Sequence, residues 1–296
     1  MSTGLHFFIG KGGVGKSTTS ALTALHLARS GHRTLLVSLD PAHNQRDIFE
    51  TAFSEKPTLV RPRLAVREID VDRWVQDYLK ESSALLKKAY AYQSAFNLQR
   101  HFNVLKFAPG LEEHALLLAF DDTVRRNSHM DDILFDMPPT ALTLRFFSLP
   151  SITCLWLKEL LDLRTRIYAK KAIVSKIKLK SIEIEQDKVR DRLQTLIEDS
   201  GRHRRLFTAA ATDINLVLNN DPLSRSEAER ICRKLKDIDM TVTRLILNKC
   251  DPQTVQDGLD QALKTYPLRR FPLSRIRLTG LTALEDYLLH HPCQTA

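Results

Sequence analysis

Short apolar runs recur along the chain, and many are followed by a stretch with helical spacing. LHFFIG (5–10) is the first. Behind it, after a glycine-rich loop, Leu22, Leu25 and Ala28 recur at helical intervals before Gly31. Further runs of strand character are RTLLVSLD (33–40), LAVREID (64–70), NVLKFAPG (103–110), MDDILFDMPP (130–139), INLVLNND (214–221), VTRLILNKCD (242–251) and LRRFPLS (268–274). Helical patterns cover 72–88, 111–127, 224–237 and 281–289. This alternation predicts an α/β fold, a mostly parallel sheet with helices on both faces.

Two stretches break the alternation. Residues 72–101 and 151–205 are long, helical and charged; in the second, Ile182, Val189, Leu193 and Leu196 recur at roughly helical intervals. Both read as helical insertions that pack together into a subdomain beside the sheet. No internal repeat, low-complexity segment or linker divides the chain, so residues 1–296 read as a single domain carrying that subdomain.

Composition narrows the class. A chain of 296 residues with 43% hydrophobic content can bury a large α/β core. It contains no uninterrupted run of eighteen apolar residues, so no integral membrane segment is expected. Its N-terminus enters a strand almost at once, which argues against a cleavable signal peptide. Cysteines at 154, 232, 250 and 293 form no C-x-x-C, so neither a zinc site nor a disulfide framework is indicated. With the loop described next, this points to a reducing cytoplasm. Lys and Arg number 44 against 35 Asp and Glu, and the excess concentrates in RTRIYAKKAIVSKIKLK (164–180), which has no acid. That run reads as a solvated helix face or as a surface for an acidic membrane or partner, with a peripheral place at the inner face of a membrane in the latter case. No recognition motif supports a nucleic-acid partner.

The chemistry gathers in GKGGVGKSTTS (10–20). It matches G-x-x-x-x-G-K-[ST], with Gly10, Gly15, Lys16 and Ser17 at the fixed places between a strand and a helix. Gly10, Gly12, Gly13 and Gly15, with Val14 among them, let backbone N–H groups turn around phosphate oxygens. The helix N-terminus adds partial positive charge. Lys16 then reaches the β- and γ-phosphates, and the Ser17 hydroxyl ligates Mg²⁺, so ATP or ADP and Mg²⁺ are the expected cofactors. Asp40 leaves a buried strand where a carboxylate can orient a water, or can simply cap a turn. Asn44 follows it and can donate to a γ-phosphate oxygen. DDILFDMPPT (131–140) ends its apolar strand in Asp136, the Walker B arrangement that presents a carboxylate toward Mg²⁺.

Lys11 makes the loop resemble the deviant Walker A motif, K-G-G-x-G-K-[ST], of the MinD, ParA, nitrogenase iron-protein and ArsA ATPases. DPAHNQRDIF (40–49) and FDMPPTALTLRFFSLP (135–150) resemble the switch I and switch II stretches of the ArsA/tail-anchored-protein-targeting ATPases. APGLEEHALLL (108–118), DPLSRSEAERI (221–231), VTRLILNKCD (242–251) and FPLSRIRLTGLTAL (271–284) are similar to later segments of that family, in order through nearly the whole chain.

The resemblance implies a P-loop NTPase fold, ATP hydrolysis and a homodimer gated by nucleotide. It implies that Lys11 contacts phosphates bound by the other subunit and that Thr18 lies near the α-phosphate. Asp40 is then the residue that polarises the attacking water, Asn44 a γ-phosphate contact, Asp136 the magnesium-side carboxylate and Asn248 an adenine contact. The output is an arsenical or other anion pump; the alternatives are a targeting factor or chaperone for tail-anchored or other apolar client segments, and a positioning ATPase like MinD or ParA. The partners are accordingly a second copy and either a membrane pump or an apolar client protein. The chain departs from the family pattern where Ala141-Leu142 replaces a Gly-His pair in switch II. It also lacks the C-x-x-C clamp and has no methionine in 151–205. A metalloid site needs closely set thiols; Cys154 follows switch II within the helical stretch, and no second and third cysteine clearly join it.

Overall fold

The computed structural model describes residues 3–42, 44–89, 108–177, 188–251, 259 and 261–291. The chain divides into two compact units, one of residues 1–146 with 210–296 and one of residues 147–209.

The first unit is built on an eight-stranded sheet of β1 (Gly4–Ile9), β2 (Thr34–Ser38), β3 (Thr58–Arg61), β4 (Leu64–Glu68), β5 (Asp132–Asp136), β6 (Thr212–Asn219), β7 (Arg244–Cys250) and β8 (Leu268–Pro272). The strand order is β3-β4-β2-β5-β1-β6-β7-β8, and every pair is parallel except β3–β4. The helices that begin and end in this unit are α1 (Lys16–Arg29), α2 (Asn44–Phe49), α3 (Val71–Ala89), α4 (Leu111–Arg126), α7 (Pro222–Lys236) and α8 (Leu281–His290). The remaining helices are α5 (Thr140–Ile177), which starts in the first unit and continues into the second, and α6 (Lys188–Phe207) of the second unit.

The central strands read as continuous apolar runs because both of their faces are covered; β2, β4 and β5 are buried at every residue. On one face Phe7 stacks on Phe135 at 5.1 Å between ring centres, and Phe120 of α4 tilts against Phe135 at 5.2 Å. On the other, Phe8, Leu36 and Leu134 join Ala21, Leu22 and Leu25 of α1 in one cluster. Since the strands run parallel, the carboxyl ends of β1, β2, β5, β6, β7 and β8 share one edge, the place where such sheets bind ligands.

Both lateral edges are irregular. β3 has four residues, its register with β4 shifts between Leu59 and Arg61, and Arg61 pairs with Glu285 at 2.9 Å. On the far side, the register of β8 with β7 shifts between Asn248 and Cys250.

Several elements differ from what the pattern predicts. Of the strand expected over 103–110, residues 103–107 lie outside the described residues, and the rest is the turn into α4. The short strand β3 and the six-residue α2 carry too little periodicity to be read in advance. The helix expected from residue 151 begins already at Thr140 and runs through Pro150. Its first turn is set by Thr143, whose Oγ1 donates to Pro138 O at 2.6 Å and whose N–H donates to Pro139 O at 3.2 Å. Ala141 and Leu142 lie in that turn, where both favour helix more than glycine does. The stretch Thr140–Ala169 is long and apolar enough, by length and average composition, to meet the measure of a membrane span, although it lacks an uninterrupted apolar run.

Of the stretch 72–101, α3 belongs to the first unit, where Tyr78 meets His114 of α4 edge-on at 4.7 Å; residues 90–101 lie outside the described residues. The stretch 151–205 falls in the second unit, where Phe147 and Phe207 pack edge to face at 5.1 Å. Ile182 lies outside the described residues, and Val189 on α6 is exposed. In the basic run, Arg166 pairs with Asp162 at 2.7 Å and Arg164 lies over the Tyr168 ring at 5.4 Å; 178–180 lie outside the described residues.

Candidate functional site

β1 delivers the chain into the glycine loop at the ligand-binding edge of the sheet. Two glycines there have no alternative. Gly10 has φ +145° and a Cβ on it would run into the Val217 carbonyl of β6; Gly15 has φ +95° and a Cβ on it would run into the Asn248 amide. Val14 turns into the core and is buried. Its carbonyl accepts a 2.8 Å hydrogen bond from Nδ2 of Asn248, so the end of β7 braces the loop.

α1 starts on Gly15 without a side-chain cap and without an acid in its first turn. Its leading N–H groups are therefore left for a ligand. Lys16 is only 6% exposed, and its ammonium makes no hydrogen bond or ion pair with another described residue. Buried charges are normally paired, so an ammonium left single at an uncapped helix N-terminus is a site for an anion.

A cleft of about 660 Å³ opens over the loop. Gly12, Gly13, Gly15, Lys16, Ser17 and Thr18 wall it on the loop side, and Asp40, Asn44 and Asn248 wall it from three other elements. Asp40 is nearly buried, and its Oδ1 accepts the Ala42 N–H at 3.0 Å. The backbone bond from Leu39 N to Asp136 O, 2.9 Å, ties the end of β2 to the end of β5. Gly10, Lys11, Val14 and Asp136 do not wall the cleft. Lys11 is half-buried and has no described partner.

Two cations of the cleft escape a reading from motifs. Lys249 follows Asn248 with φ +51°, an unusual conformation for a lysine, and Arg277 comes from the loop after β8. The basic pattern R-I-R at 275–277 was the available signal for the second. With Lys16 they set three cations against Asp40 and Asp47 around the cleft.

Asp136 lies behind the loop at the end of β5, fully buried. Burial pushes its carboxyl up to about 6, although the Ser17 hydroxyl, the Gln45 amide and the Lys16 charge all favour the ionised form; the Asp40 charge adds to the rise. Oδ2 accepts from Nε2 of Gln45 at 3.0 Å, while Oδ1 has no hydrogen-bond partner. A buried, unpartnered carboxylate oxygen near a serine hydroxyl suits a hard cation. Among the described residues no cluster of three or more His, Cys, Asp or Glu could hold a metal by itself, so such a cation would share its shell with phosphate oxygens and water.

The opposite edge of the same strands holds charges that satisfy one another. His6 Nε2 lies 2.8 Å from Asp132, its Nδ1 lies 3.1 Å from Asp213, and His32 Nδ1 lies 2.6 Å from the other oxygen of Asp132. Burial works against the His6 charge, but the two carboxylates outweigh it and raise its pKa. Asp132 is held below the usual range by its histidines against the pull of burial, and Asp213 by its bond to His6.

A family model for anion-transporting ATPases, the ArsA ATPases, matches residues 3–267. The chain is 30% identical over 262 residues to the putative arsenical pump-driving ATPase 2 of Aquifex aeolicus, covering 87% of this chain and 84% of that protein. It is 29% identical over 253 residues to an ATPase ASNA1 homolog of Entamoeba histolytica, covering 83% and 76%. It is 25% identical over 315 residues to ATPase GET3 of Komagataella phaffii, covering 95% and 87%.

Proposed function

The chain belongs to the ArsA family of anion-transporting ATPases, and on that footing we propose that it binds ATP with Mg²⁺ and hydrolyses it as a nucleotide-gated homodimer. The observation that carries the reading is Lys16: buried, without a described partner, at the uncapped start of α1 and facing the cleft.

Lys16 and the N–H groups of the loop would hold the phosphates. Ser17 and Oδ1 of Asp136 would hold Mg²⁺, which when bound supplies charge neutralisation at the phosphates. Asp40, steadied by the Ala42 N–H, would orient the water that attacks the γ-phosphorus. Asn44 at the start of α2 would donate to a γ-phosphate oxygen, and Thr18 would lie near the α-phosphate. Asn248 would meet the adenine with the amide face that it does not use on Val14. Lys11 would complete the site of the other subunit; its place outside its own cleft and its lack of a described partner support that role. The arsenical pump-driving relative supports an output to an arsenical or other anion pump from the cytoplasmic side. Cys154, Cys232 and Cys250 are free thiols, the last two buried.

The test is the ATPase rate against protein concentration for wild type and Lys11→Ala, with mass measured in ADP plus aluminium fluoride. A rate per subunit that rises with concentration, a dimeric fluoride complex and a Lys11→Ala variant that binds ATP without turnover are the expected results. A monomer that hydrolyses ATP and tolerates Lys11→Ala would overturn the dimer mechanism.

A second reading, a carrier for apolar client segments, is favoured by one observation. Ile152, Trp156, Leu160, Leu163 and Ile167 recur at helical spacing on α5, with Leu155 beside them, and all are exposed, Trp156 by 67%. Pull-down of a tail-anchored helix by wild type, lost in Trp156→Glu with ATPase intact, would support this reading. Equal capture by both would remove it.

A further inference from the structure

We propose that Gln45 is a positioning residue for the magnesium side of the site, a strut that ties α2 to Asp136. The inference rests on the ATP and Mg²⁺ reading above. Gln45 is fully buried, and its single Nε2 lies 3.2 Å from Ser17 O, 3.2 Å from Ser20 Oγ and 3.0 Å from Asp136 Oδ2. Two N–H bonds thus serve three acceptors, two on the first turns of α1 and one at the end of β5.

The position is poorly explained by packing. Oε1 of Gln45 is buried with no hydrogen-bond partner, a penalty that an apolar side chain of the same length would avoid. The amide group is what such a side chain would lack, and two of its three contacts are on Ser17 and Asp136, the residues that would hold the cation. Holding Oδ2 leaves Oδ1 as the carboxylate oxygen without a partner. The other bonds that fix α2 do not reach the magnesium side: Gly280 N–H donates to Ile48 O at 2.8 Å, and Arg46 N–H to Glu68 Oε1 at 3.0 Å.

The same helix carries Asn44 and Asp47 into the cleft. Gln45 therefore joins the carboxylate behind the loop to the wall on the γ-phosphate side. Whatever binds Asp136 biases the position of α2, and by linkage the position of α2 biases binding at Asp136.

The test compares the affinity of the fluorescent analogue mant-ADP in Mg²⁺ and in EDTA, for wild type and for Gln45→Met, which keeps the length without the amide. The expected result is a Mg²⁺ enhancement reduced about tenfold in the variant, with affinity in EDTA held within about twofold. An enhancement equal to wild type would overturn the assignment. A wild type that binds mant-ADP in neither condition would instead bring down the nucleotide reading, and this inference with it. Should the variant fail to fold, hydrogen exchange on wild type decides. Added protection of residues 45–49 by Mg²⁺ over nucleotide with EDTA supports the strut, and no difference overturns it.

Discussion

Strand β5 begins with Asp132 and ends with Asp136, and the two carboxylates live under opposite conditions. Both oxygens of Asp132 meet histidine nitrogens, and the other ring nitrogen of His6 meets Asp213. Asp136 has one oxygen on an amide and one on nothing. Residue type and strand are the same; Asp136 is the more deeply buried, and complement separates the two further. Where the chain supplies the counter-charge, the group ionises readily and holds the amino edge of β1, β5 and β6 together. Where no ion pair is made, burial dominates and the group is left for a ligand. Lys16 repeats the second condition with the opposite sign.

The strongest way to break this comparison is at Asp132. Asp132→Ala leaves His6 to Asp213 alone and half-exposed His32 without its carboxylate, and is expected to lower stability by about 3 kcal/mol, two charge-assisted hydrogen bonds at about 1.5 kcal/mol each. Chemical denaturation measures it. Lys16→Ala should leave stability nearly unchanged yet reduce turnover by roughly 10²–10³, the scale for losing one donor to a transition-state oxyanion; steady-state kinetics beside a thermal melt separates the two.

Asp136→Asn should do the reverse of a usual core substitution and stabilise the ligand-free protein. The folded carboxyl titrates at about 6, above its unfolded value near 4, so the folded state binds the proton more tightly. Wild-type stability then falls as pH rises from about 4 through 6, and above 6 the variant should gain about 2–3 kcal/mol, at roughly 1.4 kcal/mol per pH unit. A variant no more stable than wild type at pH 7.5 would contradict the burial argument.

The smallest effect is at His6, whose folded pKa is raised. Its contribution is present below its unfolded pKa of about 6.5 and is lost as pH climbs through the folded value. His6→Asn should remove that alkaline fall in stability, read from denaturation midpoints as pH rises from about 6.

The same contrast explains what was legible in the sequence. The sheet could be read because β2, β4 and β5 are buried at every residue and carry apolar runs between their polar ends. The phosphate loop could be read because its glycines answer to local backbone geometry at Gly10 and Gly15. What escaped depends on distance along the chain: Gln45 meets Asp136 across 91 positions and His6 meets Asp213 across 207, and neither contact leaves a local pattern. Asn248 was expected on the adenine; its Nδ2 is committed to Val14, a contact that spacing could not foretell. The start of α5 was hidden by Pro150, which suggests a boundary yet lies inside the helix.

The two irregular margins of the sheet also govern how the protein behaves in a crowded solution. An unpaired strand offers a ladder of free N–H and C=O groups on which another chain can crystallise into a fibre. β3 offers only four residues, with a register shift that spoils the spacing and an arginine committed to Glu285. β8 ends in Pro272, slips in register against its neighbour, and carries Arg269 and Arg270 within it. Among the described residues neither margin is a long, regular template, which disfavours edge-to-edge pairing.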